Sequence, residues 1–257
     1  MKVSTDAFPM RAWRAAARRV AALADACLPA TCIVCGGDEP SGLCDGCAGE
    51  LPGWGVGRCV RCGIGLPDTA IGPPAECDAC LATPPAFSRT IVLADYAAPL
   101  DRVVHALKFG RDASLARPLG RRLAQRGAEA LRTLRARHAA AAVVTAIPLA
   151  TRRLAERGFN QSLEIARAVS RCRSLELEHR LLVRVRESAP ASTLHARQRR
   201  HALRGAFDAP VRLDGRPVVV VDDVMTTGAT LEAAAEALVR AGAASVVNFV
   251  VARTPAR

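Results

Sequence analysis

Apolar positions recur along the chain with two different periods. Residues 91–96, 142–147, 218–221 and 245–251 are short runs dominated by Val, Ile and Ala, the texture of strands buried on both faces. Between them the spacing changes to three and four. That predicts helices from Pro99 through Phe109, over 115–137 (rich in arginine), over 161–170 and over 228–241, with a basic loop between Pro148 and Gln161. Strand–helix alternation from about Phe87 onward predicts an α/β domain, a parallel sheet flanked by helices. Upstream, residues 28–86 lose both periods and are rich in Gly and Pro, which predicts a small loop-built module. Residues 11–26 read as a short basic amphipathic helix or arm with Trp13, Val20 and Leu23 on its apolar side. The expected division is therefore 1–27, 28–86 and 87–257. No run approaches the 18 apolar residues of a membrane span, and the first 20 residues lack an apolar core with a small-residue cleavage site. A cytoplasmic protein is expected.

The cysteines change the picture of the middle module. Nine of the ten lie between Cys27 and Cys80, and eight form CxxC units: Cys32/Cys35, Cys44/Cys47, Cys59/Cys62 and Cys77/Cys80. A CxxC turn offers two thiolates to one ion, and two turns complete a tetrahedral four-sulfur site. A disulfide framework is the competing account, but the spacing of metal ligands is repeated four times in a long chain without a signal peptide. Two zinc ions are expected, structural because four protein sulfurs leave no position for water. Neighbouring units sharing an ion is the preferred pairing, since each pair then closes one short ribbon; a cross-braced interleaving is the alternative. Cys27 reads as a small apolar residue and Cys172 as a buried helix position.

The sharpest local feature is the run from Val218 through Asp222, Asp223, Thr226, Thr227, Gly228, Ala229 and Thr230. An apolar strand ends in two carboxylates, then a hydroxyl- and glycine-rich turn opens a helix. Amides and hydroxyls at a helix N-terminus suit a phosphate, and carboxylates one step earlier suit sugar hydroxyls. Together they spell a ribose 5-phosphate grip. The metal-binding half of a nucleoside triphosphatase is disfavoured, because neither of the two lysines, Lys2 and Lys108, follows the glycines of a Walker loop. A simple helix cap does not need two carboxylates and three threonines.

This run resembles the phosphoribosyl pyrophosphate (PRPP) signature of type I phosphoribosyltransferases. With the cysteine module, the chain from about residue 28 to 254 resembles the ComF family of competence proteins. The resemblance includes His105-Ala-Leu-Lys108-Phe109, Ile147-Pro148-Leu149, Arg152-Arg153-Leu-Ala-Glu-Arg157-Gly158-Phe159-Asn160-Gln161 and Gly205-Ala-Phe207. It implies a type I phosphoribosyltransferase-like fold behind a double zinc ribbon. Asp222 and Asp223 would hold the ribose, Thr226, Thr227, Gly228, Ala229 and Thr230 the 5-phosphate. Ile147, Pro148 and Leu149 would form the pyrophosphate loop, with Arg152, Arg153 and Arg157 neutralising the pyrophosphate. It further implies Mg²⁺ alongside PRPP or a nucleoside 5′-phosphate, and a Mg²⁺-dependent phosphoribosyl transfer whose acceptor the chain does not name. No covalent or acid–base catalytic residue is assigned. Where the family carries a Gln and an Asn, this sequence has Ala191 and Ala202, which weakens the polar contacts of the segment expected to cover the site. The family's link to competence supplies the alternative: a non-catalytic factor that binds single-stranded DNA or proteins of the DNA-uptake machinery, with the PRPP site regulatory or relic.

Net charge bears on that alternative. The formal +12 divides into +3, −5 and +14 over 1–27, 28–86 and 87–257 (5 against 2, 2 against 7 and 29 against 15 charged residues). The acidic cysteine module is thus a poor partner for a nucleic-acid backbone and reads as a docking appendage. Single-stranded DNA, if a partner, is expected on the basic C-terminal domain, where residues 180–204 carry Arg184, Arg186, Arg197, Arg199, Arg200 and Arg204 but no aromatic side chain for base stacking.

Overall fold

The computed structural model describes residues 31–67, 75–186 and 203–255. The helix expected over 11–26, Cys27, Ala191, Ala202 and the arginines at 197, 199 and 200 lie outside the described residues.

In chain order the elements are α1 (Asp45–Gly49), α2 (Asp78–Ala82), β1 (Arg89–Asp95), α3 (Leu100–Phe109), α4 (Ala116–Arg126), α5 (Ala128–Arg137) and β2 (Val143–Ala146). They continue with α6 (Thr151–Arg157), α7 (Gln161–Arg173), β3 (Glu176–Leu177), β4 (Val183–Arg184), β5 (Phe207–Asp208), β6 (Pro217–Met225), α8 (Ala229–Arg240) and β7 (Ser245–Arg253). Five strands form one sheet in the order β1-β7-β6-β2-β3, with parallel pairing throughout, and β4 pairs antiparallel with β5 beside it. The valines at 218–221 are fully buried, as a central strand covered on both faces requires. One face packs on α3, α4 and α7 through Leu107, Leu123 and Ile165; the other packs on α8 through Leu231 and Leu238. The expected α/β architecture is the observed one.

Four details depart from the sequence reading. The long helix expected over 115–137 is divided at Gly127, which ends α4 and precedes α5; an added Cβ there would lie 2.2 Å from Cζ of Phe249, so glycine alone fits. The strand expected over 218–221 runs on to Met225, because β7 continues to pair with it as far as Arg253. The basic loop after Pro148 contains a short helix, α6, closed by the left-handed Gly158, whose amide donates to the Leu154 carbonyl. Cys172 is exposed rather than buried: it stands in the last turn of α7, past Val169, the final buried position of that helix.

The cysteine module joins the α/β body through Leu43, Ala48 and Leu51, which share the buried core of Leu93, Leu119 and Leu123, and through a set of arginines. Arg122 donates to the Leu43 carbonyl and pairs with Asp45 at 2.6 Å, and Arg121 donates to Pro40. Arg126 bridges the carbonyls of Val92 and Trp54 and lies over the Trp54 ring. Arg58 links the Gly53 and Gly63 carbonyls to Asp95.

Candidate functional site

Strands β2 and β6 are neighbours at the centre of the sheet, and the chain leaves them in opposite directions, β2 toward β3 and β6 toward β7. The carboxyl ends of such a pair border a crevice, the place where open parallel sheets bind ligands. Both sequence-predicted segments are delivered there. Ile147, directly after β2, donates its amide to the Val221 carbonyl at 3.0 Å, so the loop Ile147-Pro148-Leu149 starts beside the carboxylates. Asn160, the N-cap of α7, donates to the Ile147 carbonyl at 2.9 Å and fixes that loop from the other side.

Asp222 and Asp223 lie near the carboxyl end of β6 in a shared, partly desolvated setting. Asp223 is 8% exposed and pairs with Lys108 of α3, Nζ to Oδ1 3.0 Å. Asp222 accepts from the Ser162 hydroxyl of α7 at 3.0 Å and from the Asp223 amide. Burial first and repulsion by Asp223 second push the Asp222 carboxyl up to about 7, against the opposing pull of Lys108 and Ser162. Negative charge here exceeds what the neighbouring cation neutralises. Hydroxyl donors of a sugar, or a divalent cation, would relieve the excess, so the pair fits both groups. Lys108 and Ser162 escaped the sequence reading as site residues; Lys108 stood inside a quoted motif but carried no assigned role.

Beyond the carboxylates, Thr226 to Thr230 turn into α8. Gly228, with φ +81°, makes the bend, and the Ala229 amide is braced by the Thr227 hydroxyl at 3.4 Å. The turn surrounds a hollow of about 40 Å³ that Asp222, Thr226, Thr227 and Thr230 line together. The first-turn amides of α8 have no carbonyl one turn earlier inside the helix, and the helix dipole makes them a site for an anion. The three arginines expected at the pyrophosphate separate. Arg152 is exposed and paired with Glu156 one turn on. Arg157 is half-buried, lies over the Phe109 ring, donates to the buried Gln161 at 3.0 Å and feels the charge of Asp223. Arg153 is half-buried as well and makes no ion pair among the described residues.

The eight CxxC sulfurs gather into two groups, Cys32, Cys35, Cys44 and Cys47, then Cys59, Cys62, Cys77 and Cys80, with ligand atoms in each within 4.8 Å of one another. Sulfur–sulfur distances of 4.0 Å (Cys35–Cys44) and 3.7 Å (Cys62–Cys77) are far beyond a disulfide bond. They match the edge of about 3.8 Å that a tetrahedron with Zn–S bonds of about 2.3 Å demands. Backbone amides point at the sulfurs: Cys44 at Cys32, Cys47 at Cys44 and Cys77 at Cys59. Burial opposes ionisation of Cys32, yet amide donors outweigh it and hold the thiol down at about 6. Donor set and spacing fit zinc. A cavity of about 650 Å³, absent from the sequence reading, separates the second group from the flank of α8 and reaches from Cys62 and Pro84 to Gly228 and Glu232.

A five-stranded parallel sheet with this crevice, preceded by two four-cysteine clusters, defines a phosphoribosyltransferase-type protein with an N-terminal cysteine module; the Phosphoribosyl transferase domain family matches residues 159–257. The DNA utilization protein YhgH of Escherichia coli K12 is 38% identical over 200 residues, spanning 76% of this chain and 84% of the relative. YhgH of Salmonella typhimurium is 35% identical, covering 83% and 91%. Competence protein F of Haemophilus influenzae is 28% identical, covering 86% and 96%. The chain belongs to the ComF family, together with YhgH and competence protein F.

Proposed function

We propose that the crevice binds PRPP with Mg²⁺. Asp222 and Asp223 hold the ribose hydroxyls and residues 226–230 the 5-phosphate; the loop Ile147-Pro148-Leu149 with Arg157 and Arg153 faces the pyrophosphate. The observation that carries this reading is the meeting of two adjacent carboxylates, held by Lys108 and Ser162, with the threonine-lined hollow of the 226–230 turn. Phosphoribosyl transfer breaks the anomeric C–O bond and develops positive charge on the ribose and negative charge on the leaving pyrophosphate. Positioning and electrostatic stabilisation serve that chemistry, and no covalent nucleophile is required. Mg²⁺, when bound, supplies charge neutralisation at the pyrophosphate. Each four-cysteine cluster holds one structural zinc in the module 28–86. Free, ungrouped by disulfides, the described cysteines suit a reducing compartment such as the cytoplasm.

The names of the relatives, DNA utilization protein and competence protein, put this chemistry in a DNA-handling setting as a proposal for this chain. The deciding experiment is thermal unfolding with PRPP and Mg²⁺. A rise in Tm is expected for the wild type and none for the Asp222→Ala/Asp223→Ala double variant; an unmoved wild type would end the PRPP reading.

A further inference from the structure

Arg253 is the last residue of β7, 6% exposed, and the one charged side chain in that strand's run SVVNFVVAR. It is turned away from solvent, and no carboxylate among the described residues pairs with it. Its Nε donates to the carbonyl of Cys62 at 3.0 Å. Its Nη1 lies against three more carbonyls: Met225 at 3.2 Å, Thr226, and Thr254 at 2.9 Å. One guanidinium thus joins the knuckle of the second four-cysteine cluster to the last residue of β6 and the first residue of the turn that follows. The Thr254 amide, donating to the Met225 carbonyl at 3.0 Å, closes the same junction.

The direction of these bonds matters. A peptide unit points its carbonyl and its amide to opposite sides. Drawing the Met225 and Thr226 carbonyls toward Arg253 commits that side of the turn to the cysteine module and turns the following amides toward the hollow beside Thr227 and Thr230. The first four-cysteine cluster has a different mooring, through Arg121 and Arg122 of α4, away from the turn. The two clusters therefore differ in what they hold.

We propose that Arg253 is a positioning residue through which the second four-cysteine cluster, and not the first, sets the conformation of the 226–230 turn. The proposal rests on the reading of that turn as a phosphate loop only for its functional consequence; the coupling itself is a property of the fold. Loss of metal from Cys59, Cys62, Cys77 and Cys80 releases the Cys62 carbonyl, then the guanidinium, then the turn. Lysine does not replace arginine here, because a single ammonium cannot span Cys62 on one side and Thr226 on the other.

Amide hydrogen–deuterium exchange of the full chain tests the coupling without any ligand. Cys62→Ser is expected to speed exchange at least tenfold in peptides covering 225–235, where the amides bonded from Glu232 onward report the turn, and Cys35→Ser to leave them unchanged, with metal analysis confirming loss of one ion in each. Arg253→Met and Arg253→Lys are expected to reproduce the Cys62→Ser pattern while retaining both metal ions. Unchanged exchange over 225–235 in Cys62→Ser would overturn the proposal, as would a uniform loss of protection along β6 and β7 in Arg253→Lys, which marks a merely structural residue. PRPP binding, measured by calorimetry on the same proteins, is read separately. Tenfold weaker binding in Arg253→Lys ties the coupling to function. Absent binding in the wild type refutes the PRPP reading and leaves the exchange result to decide the coupling.

Discussion

Asp222→Asn should make the protein more stable at neutral and alkaline pH, and the gain should vanish in acid. In the folded protein the Asp222 carboxyl is raised from its ordinary 3.8 to about 7, by burial and then by Asp223. A raised acid holds its proton in the native state while the unfolded chain has already released it. Its contribution is therefore fully favourable below about pH 4, is lost as pH rises from there, and is gone above about pH 7. Asparagine stays neutral throughout and still accepts from the Ser162 hydroxyl through its carbonyl oxygen. At about 1.4 kcal/mol for each tenfold change in ionisation, the full displacement corresponds to about 4 kcal/mol. Relaxation around Lys108 reduces this, so a gain of about 1–4 kcal/mol at pH 8 is expected, or roughly 3–10 °C in Tm for a chain of this size. The assay is a pair of thermal melts at each pH from 4 to 9, without ligand. The difference between variant and wild type should be near zero at pH 4 and level off above pH 7. A variant less stable than wild type at pH 8, or a difference that ignores pH, would refute the desolvated, mutually repelling pair. The same variant should lose its PRPP-induced shift, since the groups that cost stability are the ones assigned to the ribose.

The purified protein should carry two zinc ions per chain, and a strong chelator should lower Tm by about 10 °C or more, because a small loop-built cysteine module is expected to need its metals for folding; metal analysis showing fewer than two in an unoxidised sample would contradict the tetrahedral reading. Single-stranded DNA binding, if carried by the described part of the basic segment 180–204, would use the exposed Arg180, Arg186 and Arg204. The slope of log K against log salt should then be about −2, following about 0.7 per phosphate contact on a single strand, and a slope steeper than about −4 would place the contact elsewhere.

What was legible in the sequence was whatever is contiguous. The valine strand, its two carboxylates and the threonine–glycine turn are neighbours in the chain, so their chemistry could be read before their surroundings were known. The CxxC turns were legible for the same reason. Side chains arriving from distant elements were not. Lys108 reaches Asp223 from α3, and Ser162 reaches Asp222 from the first turn of α7, because the sheet order places those helix ends over β6. The need for glycine at 127 was hidden because the ring that demands it, Phe249, lies on the last strand. Three arginines equivalent in sequence, at 152, 153 and 157, became unequal only when α6 formed and turned Arg152 outward to Glu156 and Arg157 inward over Phe109.

The positive charge of the chain also changes meaning once its geometry is known. With two lysines in thirty-six basic residues, the protein uses arginine almost alone. Many of those arginines donate to backbone carbonyls inside the protein. Arg173 donates to Ala124 near the end of α4, and Arg135 to Arg173 at the end of α7, where helix carbonyls lack intrahelical partners. Arg58, Arg122, Arg126 and Arg253 each tie the cysteine module to the sheet or to α4, with two or more acceptors per guanidinium. A planar fork with five donors does this; a lysine ammonium on a flexible stem does not. Net charge alone therefore overstates the surface available to a polyanion, since a guanidinium bound to internal carbonyls keeps its charge but not its freedom to reach a phosphate. Among the described residues, the basic groups that act on the carboxylates are Lys108, paired with Asp223, and Arg157, which feels the same charge. A complement of that size suits the single pyrophosphate proposed for the crevice.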